Sequence, residues 1–135
     1  MLVEDSRNFR RVFSDTLRDR FPTMDVIEAE SGEEAIKKVG SQSVDLIFMD
    51  LRLPGKNGLE TTKEIKANHQ GIPVAILTSC DSPEYKQAAI ERGASCFINK
   101  GAFEWNQIFT MVNCFQNAKQ NDRMPTCLQG FSGYG

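Results

Sequence analysis

The stretch VDLIFMDLRLPGKNG, residues 44–58, decides how this chain folds. Its opening run is almost continuously apolar and ends at Asp50. A run of this kind is typical of a strand that is buried on both faces of a parallel sheet. Pro54 and Gly55 then predict a tight turn, which opens space above the strand end. The stretch therefore predicts a buried strand that delivers one carboxylate to the edge of a sheet.

Further apolar runs of strand length lie on both sides of this stretch, and segments with helix signals separate them. The runs are residues 1–3, 24–29, 72–77 and 94–98. Ser31 and Glu34 have the spacing of a capping box at the start of one helix. Ser82 followed by Pro83 marks the start of another helix. Strand and helix thus alternate five times along the sequence, which predicts an α/β three-layer sandwich with short connections.

Composition places the chain among ordinary globular domains. It has 135 residues, of which 40% are hydrophobic and 25% charged, and this is enough for one domain with a real core. The formal net charge of -2 argues against direct nucleic-acid binding by this chain, which would need a clustered basic face. No apolar run approaches the roughly 20 residues of a membrane span, so no membrane contact is expected.

The cysteines do not predict a metal site. Cys80, Cys96, Cys114 and Cys127 are widely spaced, and His69, the single histidine, lies in a polar stretch. A zinc set would need paired cysteines or neighbouring histidines. Unpaired thiols in a reducing cytoplasm are therefore favoured over disulfides, and the predicted location is cytoplasmic.

Polar side chains follow the predicted strands at the points where the strands end. They are Glu4 and Asp5 after the first strand, Asp50 after the third, Thr78 after the fourth and Lys100 after the fifth. In open parallel sheets, ligands bind beyond the carboxyl ends of the strands. Carboxylates that meet there repel one another and require a cation, and oxygen ligands favour a hard ion such as Mg²⁺. With a hydroxyl and a lysine, the set predicts phosphoryl transfer, with Asp50 as a nucleophile that forms an acyl phosphate.

With these motifs in place, the sequence resembles the receiver domain of response regulators, the phosphoacceptor half of two-component signalling, and in particular the chemotaxis receivers. The resemblance covers residues 1–119 and rests on MLVEDS, DLIFMDLRLPGKNGLE, VAILTS and FINK in this order and spacing. It implies a flavodoxin-like receiver fold, with a five-stranded parallel sheet in the order 2-1-3-4-5 and flanking helices. Residues 120–135 are interpreted as a C-terminal tail or linker.

The resemblance also implies a role for each site residue. Asp50 would accept the phosphoryl group from a histidine kinase or a phosphotransfer protein. Glu4, Asp5, Asp50 and the backbone carbonyl of Arg52 would hold Mg²⁺, for which Mn²⁺ is expected to substitute. Lys100 would pair with the phosphoryl oxygens. The alternative interpretation is that these carboxylates are solvated loop acids that happen to follow strands.

Two further residues would carry the switch that the resemblance implies. Thr78 would move in to hydrogen-bond a phosphoryl oxygen, and Phe97 falls at the position of an aromatic that turns inward on activation. The change would shift a two-state equilibrium that an output partner reads on the fourth helix, fifth strand and fifth helix. Core packing is an equally strong interpretation of Phe97. The sequence departs from the family at Gly101, where proline is usual, so the loop of Lys100 is expected to be looser.

The last predicted helix, residues 103–115, has an apolar face wider than one packed side requires. A stripe at helical spacing is explained as core and consists of Trp105, Ile108, Val112 and Phe115. The residues beside this stripe predict a hydrophobic interface for a second copy of the chain or for an output partner. They are Phe103, Met111 and Cys114.

The sequence leaves more than one class of function open. The leading interpretation is a signalling module that catalyses its own phosphorylation and dephosphorylation, rather than a metabolic enzyme. The alternative is a pseudo-receiver that acts as a constitutive protein-binding module, which Gly101 alone favours. An aspartate-nucleophile phosphatase would need a second aspartate two residues after the nucleophile, and Arg52 stands there.

Overall fold

A computed structural model of the chain describes residues 1–79 and 82–121, with the side chains of residues 116–121 left out of the description. The predicted tail therefore lies almost wholly outside the described residues, as do Cys80 and Cys127. The strands are β1 (Leu2–Val3), β2 (Glu28–Ala29), β3 (Ile47–Asp50), β4 (Val74–Thr78) and β5 (Cys96–Asn99). The helices are α1 (Arg7–Arg20), α2 (Gly32–Ser41), α3 (Gly58–Asn68), α4 (Pro83–Glu91) and α5 (Trp105–Asn121). Among these helices, none has both the length and the apolarity to cross a membrane.

The strands form a single parallel sheet in the order β2-β1-β3-β4-β5, as predicted. β2 is shorter than the predicted strand over residues 24–29, because its partner β1 offers only two residues for pairing. In the register of the central strands, Asp50 pairs with Leu77, and Thr78 pairs with Asn99. The carboxyl ends of β3, β4 and β5 therefore lie at one edge of the sheet.

Two apolar clusters cover the two faces of the sheet, which confirms the three-layer architecture. On one face, α1 and α5 pack through residues such as Phe13 and Ile108. On the other face, α2, α3 and α4 pack through residues that include Ile65. Successive residues of β3 alternate between the faces, so that Phe48 joins the first cluster and Met49 the second. The strand is buried throughout, as the apolar run predicts.

The helix starts follow the predicted signals with one difference. Ser31 caps α2, and its hydroxyl accepts a hydrogen bond of 3.1 Å from the amide of Glu34. Pro83 is the first residue of α4, but the hydroxyl of Ser82 donates to the carboxylate of Glu84 and makes no cap bond. Gly93 follows α4 with a φ of 99°, a left-handed conformation that glycine adopts without strain.

The predicted interface on α5 is wrong for Met111. Its side chain is fully buried, with 0% exposure, in the same cluster as Phe13 and Leu17 of α1. The apolar face of α5 is wide because the helix packs against both the sheet and α1. Phe103 is half-buried and packs against this cluster as well.

The cysteines differ from one another. Cys96 is a buried free thiol, as expected, and burial raises its pKa to about 12. Cys114 is half-buried and disulfide-bonded, so the prediction of unpaired thiols is wrong for this residue.

The burial of Met111 can be tested by Met111→Ala. The substitution should lower the free energy of unfolding by about 2–4 kcal/mol, because it leaves a cavity between α1, α5 and the sheet. Urea denaturation measures the change. Asn113→Ala, an exposed position on the same helix, is the control and should change the value by less than about 0.5 kcal/mol. Equal stability of Met111→Ala and wild type would contradict the core assignment.

Candidate functional site

The carboxyl edge of the sheet brings together the predicted acids. Glu4 and Asp5 follow β1, and Asp50 is the last residue of β3, which lies beside β1. One carboxylate oxygen from each of the three lies within 4.8 Å of the others. Glu4 and Asp50 are buried, whereas Asp5 is exposed. The parallel pairing of neighbouring strands thus concentrates negative charge at one point that is only partly open to solvent.

Asp50 has an unusual protonation equilibrium. Burial raises its pKa to about 7, and the negative charge of Glu4 acts in the same direction. The Lys100 ammonium and a hydrogen bond from the backbone amide of Arg52 oppose this rise. Near neutral pH the Asp50 carboxyl therefore still binds a proton in part, and an added cation would favour its ionised form.

Lys100 supplies the positive charge at this edge. Its Nζ donates a hydrogen bond of 2.8 Å to Oε2 of Glu4 and lies 3.8 Å from Oδ1 of Asp50. The backbone amide of Lys100 donates to the carbonyl of Thr78 at 2.8 Å, which continues the pairing of β4 with β5 by one step. This bond places the lysine where the ends of three neighbouring strands meet.

A second cation, Arg10, holds the backbone behind the acids. Its guanidinium donates to the backbone carbonyl of Glu4 at 2.8 Å and pairs with Glu28 at 3.2 Å and Glu30 at 3.0 Å. The other oxygen of the Glu4 carboxylate accepts a hydrogen bond of 3.0 Å from the amide of Ser6. Arg10 is not among the residues that the sequence motifs predict for the site. Its signal was an arginine on the face of α1 that also carries Phe13, the buried face of that helix.

The predicted switch residues lie at or near the same edge. Thr78 is the last residue of β4 and is 1% exposed. Phe97 of β5 is 8% exposed in the cluster beneath α2, α3 and α4, and the Lys86 Nζ lies 5.9 Å from its ring centroid. Phe97 therefore packs in the core and has a cation–π contact with Lys86 of α4. The switch roles of Thr78 and Phe97 stay predictions.

Gly58, the second glycine of the stretch over residues 44–58, lies where α3 approaches the end of β3 closely. It begins α3, and a Cβ built on it would lie 2.2 Å from the backbone oxygen of Asp50 and 2.8 Å from the Cα of Leu51. The helix can approach the strand end this closely only because the residue has no side chain. Gly55 forms the turn between them with a φ of 68°. Together, Gly55 and Gly58 allow the chain to turn back over Asp50 at the end of β3.

The donor set suits a hard divalent cation. It consists of carboxylates alone, and burial, together with the negative charge of Glu4, raises the pKa of Asp50. Phosphoryl chemistry uses such a cation with a lysine nearby, and Lys100 is in reach of Asp50. The arrangement can therefore bind a cation and offer a carboxylate nucleophile beside it.

Known proteins with related sequences share this fold. The response regulator receiver domain, as a family, matches residues 1–113. The response regulator GacA of Pseudomonas viridiflava is 31% identical over 102 residues, which are 76% of this chain and 48% of that protein. The chemotaxis protein CheY of Halobacterium salinarum is 34% identical over 100 residues, 74% of this chain and 82% of that protein. The chain thus spans about half the length of its GacA relatives.

Solved structures agree with the sequence relatives. The N-terminal domain of an uncharacterised protein from Wolinella succinogenes superposes with a TM-score of 0.81 at 29% identity, covering 90% of this chain and 96% of that one. The response regulator TrrA of Thermotoga maritima, solved in complex with Mg²⁺ and BeF, has a TM-score of 0.73 at 27% identity, with coverage of 84% and 95%.

The buried charge of Asp50 can be tested by Asp50→Asn without added metal. The folded pKa of about 7 lies above the ordinary value of 3.8, so the folded state keeps a proton that the unfolded chain loses between these values. The free energy of unfolding of the wild type should therefore fall as pH rises through this window. Asparagine does not ionise, so the variant should lack this fall and be about 1–3 kcal/mol more stable near pH 8.

Urea denaturation at several pH values with a chelator present measures this difference. Asp19→Asn, the same change at an exposed position of α1, is the control. Identical pH dependence in the wild type and Asp50→Asn would show that Asp50 does not carry the buried charge.

The close approach of α3 can be tested by Gly58→Ala. The added Cβ should displace the backbone of Asp50 and Leu51, with a loss of about 1–3 kcal/mol of stability. Gly40→Ala is the matched helical control, because a Cβ there would meet nothing within 4 Å. It should stabilise the chain by up to about 1 kcal/mol. Thermal unfolding of both variants measures this difference in stability. A gain in stability at both positions would contradict the close approach of α3 to β3.

Proposed function

The chain belongs to the response regulator receiver domain family, and on this premise we propose that it is the phosphoacceptor of a two-component phosphorelay. In this proposal Asp50 accepts the phosphoryl group from a phosphohistidine of a histidine kinase or a phosphotransfer protein. The observation that carries it is the buried carboxylate of Asp50, with Glu4 and Asp5 within 4.8 Å and the Lys100 ammonium 3.8 Å away. A perturbed acid beside a cation in this position is typical of a reactive site.

In the proposed reaction, an oxygen of Asp50 attacks the phosphorus atom. The P–N bond to the donor imidazole breaks, and its electron pair leaves with the nitrogen, which takes up a proton. The Lys100 ammonium, which donates to Glu4 in the structure, turns to a phosphoryl oxygen and balances the negative charge of that oxygen. Dephosphorylation restores the free Asp50 carboxylate. Water attacks the phosphorus, the bond to the aspartyl oxygen breaks, and inorganic phosphate leaves. The module is therefore a self-modifying switch rather than a metabolic enzyme.

Magnesium would be held by Glu4, Asp5, Asp50 and, as the family resemblance implies, the backbone carbonyl of Arg52, and Mn²⁺ is proposed to substitute for it. It would neutralise negative charge on the carboxylates and on the phosphoryl group. Asp50 then stays ionised at neutral pH and can act as a nucleophile. Glu4 is held for this task, because Ser6 and Lys100 fix both of its carboxylate oxygens.

The output is proposed to pass through Thr78 and Phe97 to the surface of α4, β5 and α5. Thr78 would move to a phosphoryl oxygen, and Phe97 would repack against α4, where Lys86 now lies over its ring. An output domain or separate partner protein would read this surface, and a second copy of the chain is a further proposed partner. We place this relay in the cytoplasm, with no direct nucleic-acid or membrane contact by this chain.

Phosphorylation can be tested with phosphoramidate and Mg²⁺, followed by intact mass. The wild type should gain one phosphoryl group, and the gain should require Mg²⁺ because the ion favours the ionised form of Asp50. Asp50→Ala should show no gain. Asp25→Ala, which removes an exposed acid before β2, is the control and should be phosphorylated like the wild type. A folded wild type that binds Mg²⁺ but gains no phosphoryl group would instead favour the constitutive binding module.

A further inference from the structure

Lys100 has a neighbour that the proposed reaction does not use. Its Nζ lies 4.3 Å from the centroid of the Phe9 ring, while Glu4 and Asp50 lie at 2.8 Å and 3.8 Å. Phe9 belongs to the first turn of α1 and is half-buried. The ammonium thus contacts both the carboxylates and the face of an aromatic ring. The side chain of Lys100 is only 19% exposed.

The ring of Phe9 is itself held in place. It stacks on Phe13 with centroids 5.7 Å apart and an interplanar angle of 26°. Phe13 is 1% exposed and contacts Phe48 of the sheet, with centroids 5.1 Å apart. Phe103, three residues after Lys100, also contacts Phe13, with centroids 6.1 Å apart. The loop from Lys100 to Phe103 is therefore attached at both ends to the same stacked pair of rings on α1.

This attachment matters because the backbone of the loop does little to direct the lysine. Gly101 follows Lys100, and among the described residues no peptide bond is cis. The amide of Gly101 donates to the Asn99 side chain at 2.8 Å, which orders the turn but not the long side chain of Lys100. A flexible four-carbon side chain needs contacts along its length to stay in one position.

An aromatic face suits a cation that must move a short distance. The attraction to the ring uses none of the three N–H donors of the ammonium and tolerates small displacements. Lys100 can therefore exchange its bond with Glu4 for one with a phosphoryl oxygen while it keeps its contact with the ring. A carboxylate or carbonyl in place of the ring would compete for the same donors.

We propose that Phe9 is a positioning residue for Lys100, whose ring face holds the ammonium over the site during phosphoryl transfer. The inference rests on the proposed function, since it concerns the lysine that pairs with the phosphoryl group. Phe9 does not touch the reacting atoms and acts only through Lys100. It is distinct from a core residue, because its contribution depends on a π face and on the positive charge of the lysine.

The test compares Phe9→Leu with Phe9→Tyr. Leucine keeps an apolar but smaller side chain without a π face, and tyrosine keeps the face. The rate of phosphorylation by phosphoramidate and Mg²⁺ should fall about threefold to tenfold in Phe9→Leu and stay near the wild-type rate in Phe9→Tyr. In a Lys100→Met background, Phe9→Leu should cause no further fall. A purely structural role of Phe9 would give the same loss with and without the lysine charge.

A second readout does not depend on phosphorylation. Protons of the Lys100 ε-methylene should show an upfield ring-current shift in the NMR spectrum of the wild type, which Phe9→Leu should abolish. Absence of this shift in the wild type would overturn the contact. Equal phosphorylation rates of the wild type and Phe9→Leu would overturn the positioning role alone. If the wild type were never phosphorylated, the proposed function would fail and the positioning role with it, while the shift would still report the contact.

Discussion

Burial of the Asp50 carboxylate beside the carboxylate of Glu4 is the feature that governs the rest of the site. β1 and β3 are neighbours in the sheet, so the residues that follow and end them must meet at one edge. The resulting pKa of about 7 for Asp50 shows that burial and the charge of Glu4 outweigh the help of Lys100. A site in this condition favours anything that adds positive charge, whether a metal ion or a closer lysine.

The surroundings of this edge keep the acids from moving apart. Arg10 donates to the Glu4 backbone from beneath, and Gly58 brings α3 against the Asp50 backbone from the other side. Phe9 covers Lys100, which bonds to Glu4. These contacts act on the backbone or on the lysine rather than on the reacting carboxylate. The backbone of Asp50 is thus held in position at the edge of the sheet.

The two faces of the sheet divide the remaining tasks. α1 and α5 share one core, in which the rings of Phe13, Phe103 and Trp105 contact one another. This core leads to Lys100 through the stacked ring of Phe9. The opposite face holds Phe97 against α4. The site therefore borders both helical layers.

The alternation of elements and the polar residue at each strand end can be predicted from the sequence, because apolar runs, caps and turn residues are local signals. These signals predict which polar residues lie at the strand ends, namely Glu4, Asp5, Asp50, Thr78 and Lys100. The family resemblance predicts the order of the strands. Tertiary structure alone decided contacts between distant segments. It placed Met111 in the core, since periodicity cannot show that α5 also packs on α1. It brought Arg10 and Phe9 to the site and set the pKa of Asp50, because burial and through-space charge depend on which elements become neighbours.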